Sequence, residues 1–330
     1  MNSSTSSSLD LISEYDKALS PHVSSSEPYA LLDFPDHYNV GDSAIYAGEM
    51  AYFDSKVGYS PAYVCTFSSY RRDVEDFAPE GPIFLHGGGN FGDVWPAHQD
   101  FRHEVLERYT GRKVVQLPQS IHFRDQKAVD KTAKAISGHG NFTLLVRDRE
   151  SFDFASKAFD CEVVMCPDAA HNISNLSKGA AKAPVLSMIR KDREQRGDSV
   201  VPFLESLGEV KDWERQFWAR SPMDRIVERV ISPRIRQTGR LMARREKMFR
   251  RQAWNRVNYG VRLLSEGELV ISDRLHVHIM SSLMNKKHIS LDNYYGKIER
   301  YIAAWGNDGL VTQVSDLSSL KKAVTEAGYG

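Results

Sequence analysis

Cysteine is scarce in this sequence: Cys65, Cys161 and Cys166 are the three in 330 residues. That is too few for a disulfide framework, and no zinc-like cluster surrounds them. Buried thiols in a reducing compartment are the plain reading. Net charge is missing as well, because 43 basic and 43 acidic residues cancel. Bulk electrostatics therefore argues neither for nor against nucleic acid as a partner. No apolar run is long enough to cross a bilayer. The N-terminus, MNSSTSSSLDLISEYDKAL, lacks the basic start and apolar core of a signal peptide. These absences lead to the expectation of a cytoplasmic enzyme or binding protein.

What is present is an ordinary soluble composition, 41% hydrophobic and 26% charged, in a chain long enough for two domains of about 150 residues each. Residues 1–24 read as a flexible Ser-rich segment followed by a short helix from Leu9 to Leu19. From Tyr29 onward the chain repeats strand, loop and helix. YALLDF is the first strand, and the helix from Ala44 to Lys56 has Asp42 or Ser43 as its cap. Tyr63–Thr66 is the next strand, and Pro82–Leu85 runs into a glycine-rich loop with a helix from about His98. Lys113–Leu117 is a strand, Pro118–Phe123 a loop, and further strands lie at Thr143–Arg147 and Val163–Cys166. This pattern describes a parallel sheet covered by helices, with the loops gathered at the strand ends. Composition changes after Asp168. Ala169–Ala183 reads as a linker, and Pro184–Ile189 opens a second set of strands, so the expected fold class is α/β in two units, 25–180 and 181–330.

Three loops carry chemistry. In FLHGGGNFGDVW, residues 84–95, consecutive glycines bring bare backbone N–H groups to a sheet edge, where an anion or a sugar can be held. Asn90, Asp93, Trp95 and His98 follow at once; the alternative is a tight strand-to-helix turn without a ligand. PDHYNVGDSAI, residues 35–45, repeats the logic with Asn39, Gly41 and Asp42. In SDRLHVHI, residues 272–279, a helix start carries Arg274 and His276, with His278 near the second turn. Arg binds a carboxylate or phosphate through two parallel hydrogen bonds, helix N–H groups add to the attraction, and imidazole exchanges protons near neutrality. The alternative pairs Arg274 with an acid and packs both histidines under the helix. Residues 220–262 hold 13 Arg or Lys against 3 Asp or Glu, which reads either as a solvated helical face or as a positive surface for a membrane or a lipid diphosphate. No recognised nucleic-acid module accompanies it, so no nucleic-acid partner is expected.

Taken together, PDHYNVGDSAI, HGGGNFGD at 86–93, LPQSIHF at 117–123, RDRES at 147–151, PDAA at 167–170, SDRLHVHI and LDNYYGK at 291–297 resemble the polysaccharide pyruvyl transferase family, over roughly residues 30–305. Val277 departs from the pattern, standing where relatives often have Gly. The resemblance implies two facing Rossmann-like domains in an arrangement similar to the type B glycosyltransferases, acceptor side first and donor side second. It implies transfer of a carboxyethylidene group from phosphoenolpyruvate to two hydroxyls of a hexose in an exopolysaccharide or capsule repeat unit, with a pyruvate ketal and free phosphate as products. On this reading Arg274 captures the donor, His276 is the acid, and Asp93 is the base. Asp42 and Asn90 fix the sugar, Trp95 stacks on it, and His122, Arg147, Arg190 and His278 are further substrate contacts. No cofactor and no metal are expected. The acceptor is expected to be lipid-linked, with peripheral contact at the cytoplasmic face of the inner membrane. A nucleotide-sugar glycosyltransferase and a noncatalytic glycan-binding protein are the alternatives.

Overall fold

The computed structural model describes residues 8–174, 176–190, 200–213, 238–292, 296–306 and 308–329. The Ser-rich start, the RKDRE segment beyond Arg190, the helix expected from Asp224, and Asn293, Tyr294 and Tyr295 lie outside the described residues.

The first sheet contains β1 (Ala30–Leu32), β2 (Tyr63–Cys65), β3 (Ile83–Leu85), β4 (Gly88–Gly92), β5 (Val114–His122), β6 (Phe142–Val146) and β7 (Glu162–Met165). Its order is β2-β1-β3-β5-β6-β7, with β4 on β5 beyond the end of β3, and each pairing is parallel. Largely apolar runs such as FTLLV in β6 are buried throughout, as a sheet covered on both faces requires. The helices of this half are α1 (Ser8–Leu19), α2 (Val40–Lys56), α3 (Pro96–Arg108), α4 (Gln126–His139) and α5 (Arg149–Ala158). The second sheet runs β12-β11-β10-β8-β9, built from β8 (Ala183–Met188), β9 (Val210–Lys211), β10 (Gly267–Ser272), β11 (His288–Leu291) and β12 (Val311–Val314). It is also parallel and carries α6 (Val201–Leu207), α7 (Gly239–Ser265), α8 (Leu275–Leu283), α9 (Lys297–Trp305) and α10 (Leu317–Glu326). Two α/β lobes with Rossmann-like strand and helix alternation therefore stand as expected from the sequence.

Several local expectations change. Helix α2 starts at Val40, because Asn39 rather than Asp42 or Ser43 caps it: the Asn39 side-chain oxygen accepts the Gly41 N–H at 3.0 Å. The loop expected at Pro118–Phe123 is instead the upper half of β5. Its register against β6 shifts between Gln116 and Gln119, an irregularity that accommodates the missing N–H of Pro118. The glycine-rich loop contributes a short strand, β4. The expected linker begins as a buried 3-10 turn, Ala169–Asn172, packed so closely on α2 that a Cβ at Gly48 would meet the Ala169 carbonyl oxygen.

The basic stretch is the largest change. Helix α7 follows the linker in sequence yet packs on α2 of the first lobe, where Phe249 stacks on Phe34 with centroids 4.0 Å apart. Arg245 is buried and donates to the Val64 carbonyl, Arg256 is buried and donates to the Pro35 carbonyl at 2.8 Å, and Arg250 forks onto Asp54 while pairing with Glu246. These three cations tie the lobes together, while Arg240, Arg244, Lys247, Arg251 and Arg262 of the same helix are exposed; residues 220–237 of the basic stretch lie outside the described residues. Helix α9 makes a second tie: Trp305 donates to the Arg147 carbonyl at 2.8 Å, and Arg300 pairs with Glu150.

Candidate functional site

The carboxyl ends of the two parallel sheets face each other across a cleft of about 740 Å³, the position where open α/β sheets bind ligands. The first lobe contributes His37, Tyr38, Asn39 and Asp42 after β1, Gly89, Asn90, Trp95 and His98 around β4, and Arg147 after β6. The second contributes Arg190 after β8, the segment Glu209–Trp213, Arg274 and His276 after β10, and Lys297 at the start of α9.

A charged cluster forms the floor. Arg147 donates from Nη1 to Asp168 Oδ2 at 2.5 Å and from Nε to Ser120 at 3.0 Å. His276 Nε2 lies 3.3 Å from the same Asp168 oxygen, and the Ala170 N–H donates to the other oxygen at 2.9 Å. Burial alone would push the Asp168 carboxyl up. The adjoining His276, the Arg147 charge and the Ala170 N–H outweigh it and hold the group well below the usual carboxylate range. Asp168 is thus a fixed anion orienting one imidazole and one guanidinium. The imidazole also rests on the first turn of α2, where a Cβ at Gly41 would come within 2.4 Å of His276 Nδ1. Gly41 is needed for that close approach.

Beside this cluster is a cationic cradle. A Cβ at Gly89 would sit 3.1 Å from Arg147 Nη2 and 3.4 Å from Lys297 Nζ, so the third glycine of the loop leaves room between two cations. Asp42, at the opposite side of α2's first turn, accepts from Asn39 Nδ2 at 2.8 Å and faces His37 at 3.4 Å. Burial raises its pKa, but His37, His276, His86 and Arg147 together lower it further, leaving an ionised carboxylate.

The first-lobe wall contains a pair that sequence reasoning missed. His98 Nδ1 lies 2.7 Å from Asp33 Oδ2, and Asp33 is buried with a φ of 70°, a strained conformation for a residue other than glycine. A carboxylate behind an imidazole that lines a cleft fixes the ring's tautomer and orientation. Asp33 follows directly on β1, within the YALLDF run; that position near a strand end was the one signal available. Asn90 is held equally firmly, its carbonyl oxygen accepting from Arg102 at 3.0 Å and Gln119 at 2.9 Å, which leaves its amide N–H groups toward the cleft. Arg102 itself is buried against neutral acceptors, and burial pulls its pKa down to about 10.

Asp42, Asn90, Trp95, Arg147, Arg190, Arg274 and His276 therefore come together in one cleft. Asp93, His122 and His278 do not line it. Asp93 Oδ2 accepts the N–H groups of Arg124 and Asp125, both at 2.8 Å, so its carboxylate latches the loop before α4. His122 ends β5 opposite Gly92. His278 is turned away because two residues advance about 200° around a helix; it is buried with Nδ1 2.8 Å from His288 Nε2, and burial beside His288 lowers its pKa well below the ordinary value. Arg274 lines the cleft, but its fork is engaged by Asp212 at 2.6 and 2.8 Å. Among the described residues no cluster of His, Cys, Asp and Glu suited to a metal ion occurs, and no helix is long and apolar enough to cross a membrane.

The sequence profile of polysaccharide pyruvyl transferases matches residues 39–294. The chain belongs to that family. Pyruvyl transferase 1 of Schizosaccharomyces pombe is 30% identical over 328 residues, covering 91% of this chain and 77% of the yeast protein. The Bacillus subtilis protein EpsO is 29% identical over 287 residues, covering 83% and 84%. A crystal structure of an uncharacterised Klebsiella pneumoniae protein superposes with a TM-score of 0.61 at 18% identity, over 93% of this chain and 99% of that one, a likeness of fold. The matched span of this pyruvyl transferase family member reaches from the Asn39 cap of α2 through Gly89, Arg147, Asp168 and His276, so the cleft lies almost wholly inside it.

Proposed function

We propose that the protein is a ketal-forming pyruvyltransferase, with its lobes arranged as in type B glycosyltransferases, that uses phosphoenolpyruvate as donor and a hexose of a surface-polysaccharide repeat unit as acceptor. The observation that carries this reading is the Arg147–Gly89–Lys297 cradle beside the Asp168–His276 pair: a small dense anion is gripped next to a group able to hold a proton. In this scheme Arg147 and Lys297 hold the phosphate, with Arg190 near the carboxylate. His276, oriented by Asp168, protonates C3 of the enol. C2 gains oxocarbenium character, one sugar hydroxyl adds there, the C2–O bond to phosphate breaks, and the second hydroxyl closes the ketal. Of the two hydroxyl protons released, one balances that taken by C3 and the other leaves with phosphate. His98, backed by Asp33, takes a hydroxyl proton, with Asp42 and Asn90 holding the ring. Arg274 reaches the donor only by exchanging Asp212 for the donor carboxylate. Because phosphoenolpyruvate is a cytoplasmic metabolite, the reaction belongs in that compartment.

Incubation of the protein and a polysaccharide-derived acceptor with phosphoenolpyruvate should release phosphate and leave a carboxyethylidene signal in the product NMR spectrum. Release of nucleotide from a nucleotide sugar, with phosphoenolpyruvate untouched, would overturn the reading in favour of glycosyl transfer.

A further inference from the structure

Four large apolar side chains among the described residues stay markedly exposed: Ile12, Tyr38, Phe67 and Trp95. Ile12 sits on α1, while the other three gather at one mouth of the cleft. Tyr38 and Trp95 line it together with His98, and the Phe67 ring meets His98 edge-on with centroids 5.0 Å apart. The exposure of Phe67 is built in. Its turn is locked by reciprocal bonds, Thr66 N–H to Ser69 Oγ and Ser69 N–H to Thr66 Oγ1, each 3.0 Å. A preformed aromatic surface held in water marks a place that is covered in use.

We infer that this collar, with Phe67 at its rim, is the subsite for the pyranose units next to the modified hexose; the inference rests on the acceptor-side reading above. Pyranose rings present an apolar C–H face, which stacks on aromatic rings, and a rim of hydroxyls. The cleft beside the collar supplies both, because His37, Asn39 and Asn90 line it together with Tyr38 and Trp95. Its position is continuous with the acceptor wall.

The test is calorimetric titration of the whole protein with gluco-, galacto- and manno-oligosaccharide ladders, from the methyl monosaccharide to the tetrasaccharide. At least one ladder should gain roughly tenfold or more in affinity with length, equivalent to about 1.4 kcal/mol. Phe67→Ala should reduce that gain to within about threefold, and Phe67→Trp should restore it. Absence of binding by every ladder, affinity independent of length, or a full gain in Phe67→Ala would overturn the inference. So would a dimer seen by light scattering that Phe67→Ala dissolves, since the collar would then be a self-contact. Binding requires no turnover, so the readouts separate. Length-dependent affinity without phosphate release sinks the pyruvyl reading alone, and phosphate release with length-independent affinity sinks this one alone.

Discussion

Asp33 and Asp93 are both carboxylates at strand ends on the first lobe, and the structure gives them different work. Asp33 sits at a φ of 70° with its carboxylate on His98, whereas Asp93 spends one oxygen on two backbone N–H groups of the loop before α4. Asp33→Asn should lower kcat by roughly 10²-fold or more while the protein stays folded, because an amide no longer fixes the tautomer and orientation of the His98 ring. Asp93→Asn keeps a carbonyl acceptor at the latch, so its rate should stay within roughly threefold of wild type while stability falls by about 1 kcal/mol. Steady-state kinetics and urea denaturation of both variants check the contrast; a collapse of turnover in Asp93→Asn alone would return the base to that residue. Tyr301 is a third case. Its hydroxyl accepts the Asp168 N–H at 3.1 Å and lies 2.8 Å from His171 Nε2, all buried. Tyr301→Phe should cost about 1–3 kcal/mol by stranding those partners, measurable by the same denaturation.

At the scale of elements, the first turn of α2 and the long helix α7 decide the geometry. Gly41→Ala would gain helix propensity of about 1 kcal/mol, yet the added methyl would fall 2.4 Å from His276 Nδ1. The expected outcome is a folded protein whose transfer rate drops tenfold or more, since displacing a reacting group by about 1 Å costs roughly 10²-fold. A normal rate in the folded variant would show that the imidazole has room to move. Helix α7 is tested by charge. Arg245 is buried on the first lobe and Arg244 is exposed one residue earlier. Arg245→Glu should destabilise by roughly 3–5 kcal/mol, and Arg244→Glu should stay within about 0.5 kcal/mol. Thermal melts that show equal, small shifts would make α7 a solvated helix after all.

Across the whole molecule, the acid–base balance of the second lobe offers a pH test. Asp273 is buried beside Arg190 and Arg274, and burial prevails over their charges and the Arg190 N–H to push its carboxyl up to about 6. The unfolded value is about 3.9, so the folded chain keeps a proton that the unfolded chain releases. Its contribution to stability is complete below about pH 4 and is lost as pH rises through about 6. Asp273→Asn imitates the protonated form and still accepts from the Arg190 N–H. It should therefore raise stability at pH 7 by on the order of 2 kcal/mol and show no advantage at pH 4. Denaturant titrations at the two pH values read this directly, and an unchanged or lowered stability at pH 7 would count against a buried, costly anion. Asp168 has the opposite sign: its lowered pKa gives stability that is present above about pH 4 and lost as pH falls.

Most strands of the first lobe, and β8, β10 and β11 of the second, were legible in the amino-acid sequence because a parallel sheet buried on both faces needs short, largely apolar runs such as YALL and LLV; β4, β9 and β12, each short and rich in glycine or polar residues, were not. The loops that approach the cleft were legible for the same local reason: glycine, Asn and Asp collect where strands end and helices start. Asp42, Asn90, Arg147 and His276 followed from those loops. What a side chain does once it arrives depends on partners distant in sequence. Asp33 finds His98 across 65 positions, Arg274 finds Asp212 across 62, and Arg245 reaches the Val64 carbonyl across 181. Composition made α7 basic, and packing decided which of its cations are buried, because the face against the first lobe offers the Val64 and Pro35 carbonyls as acceptors to Arg245 and Arg256, while Arg244, Lys247 and Arg251 stay exposed. Asp93 and His278 carried the right chemistry at the right spacing. The backbone N–H groups of Arg124 and Asp125 claimed the one, and a turn of about 200° along α8 removed the other from the cleft.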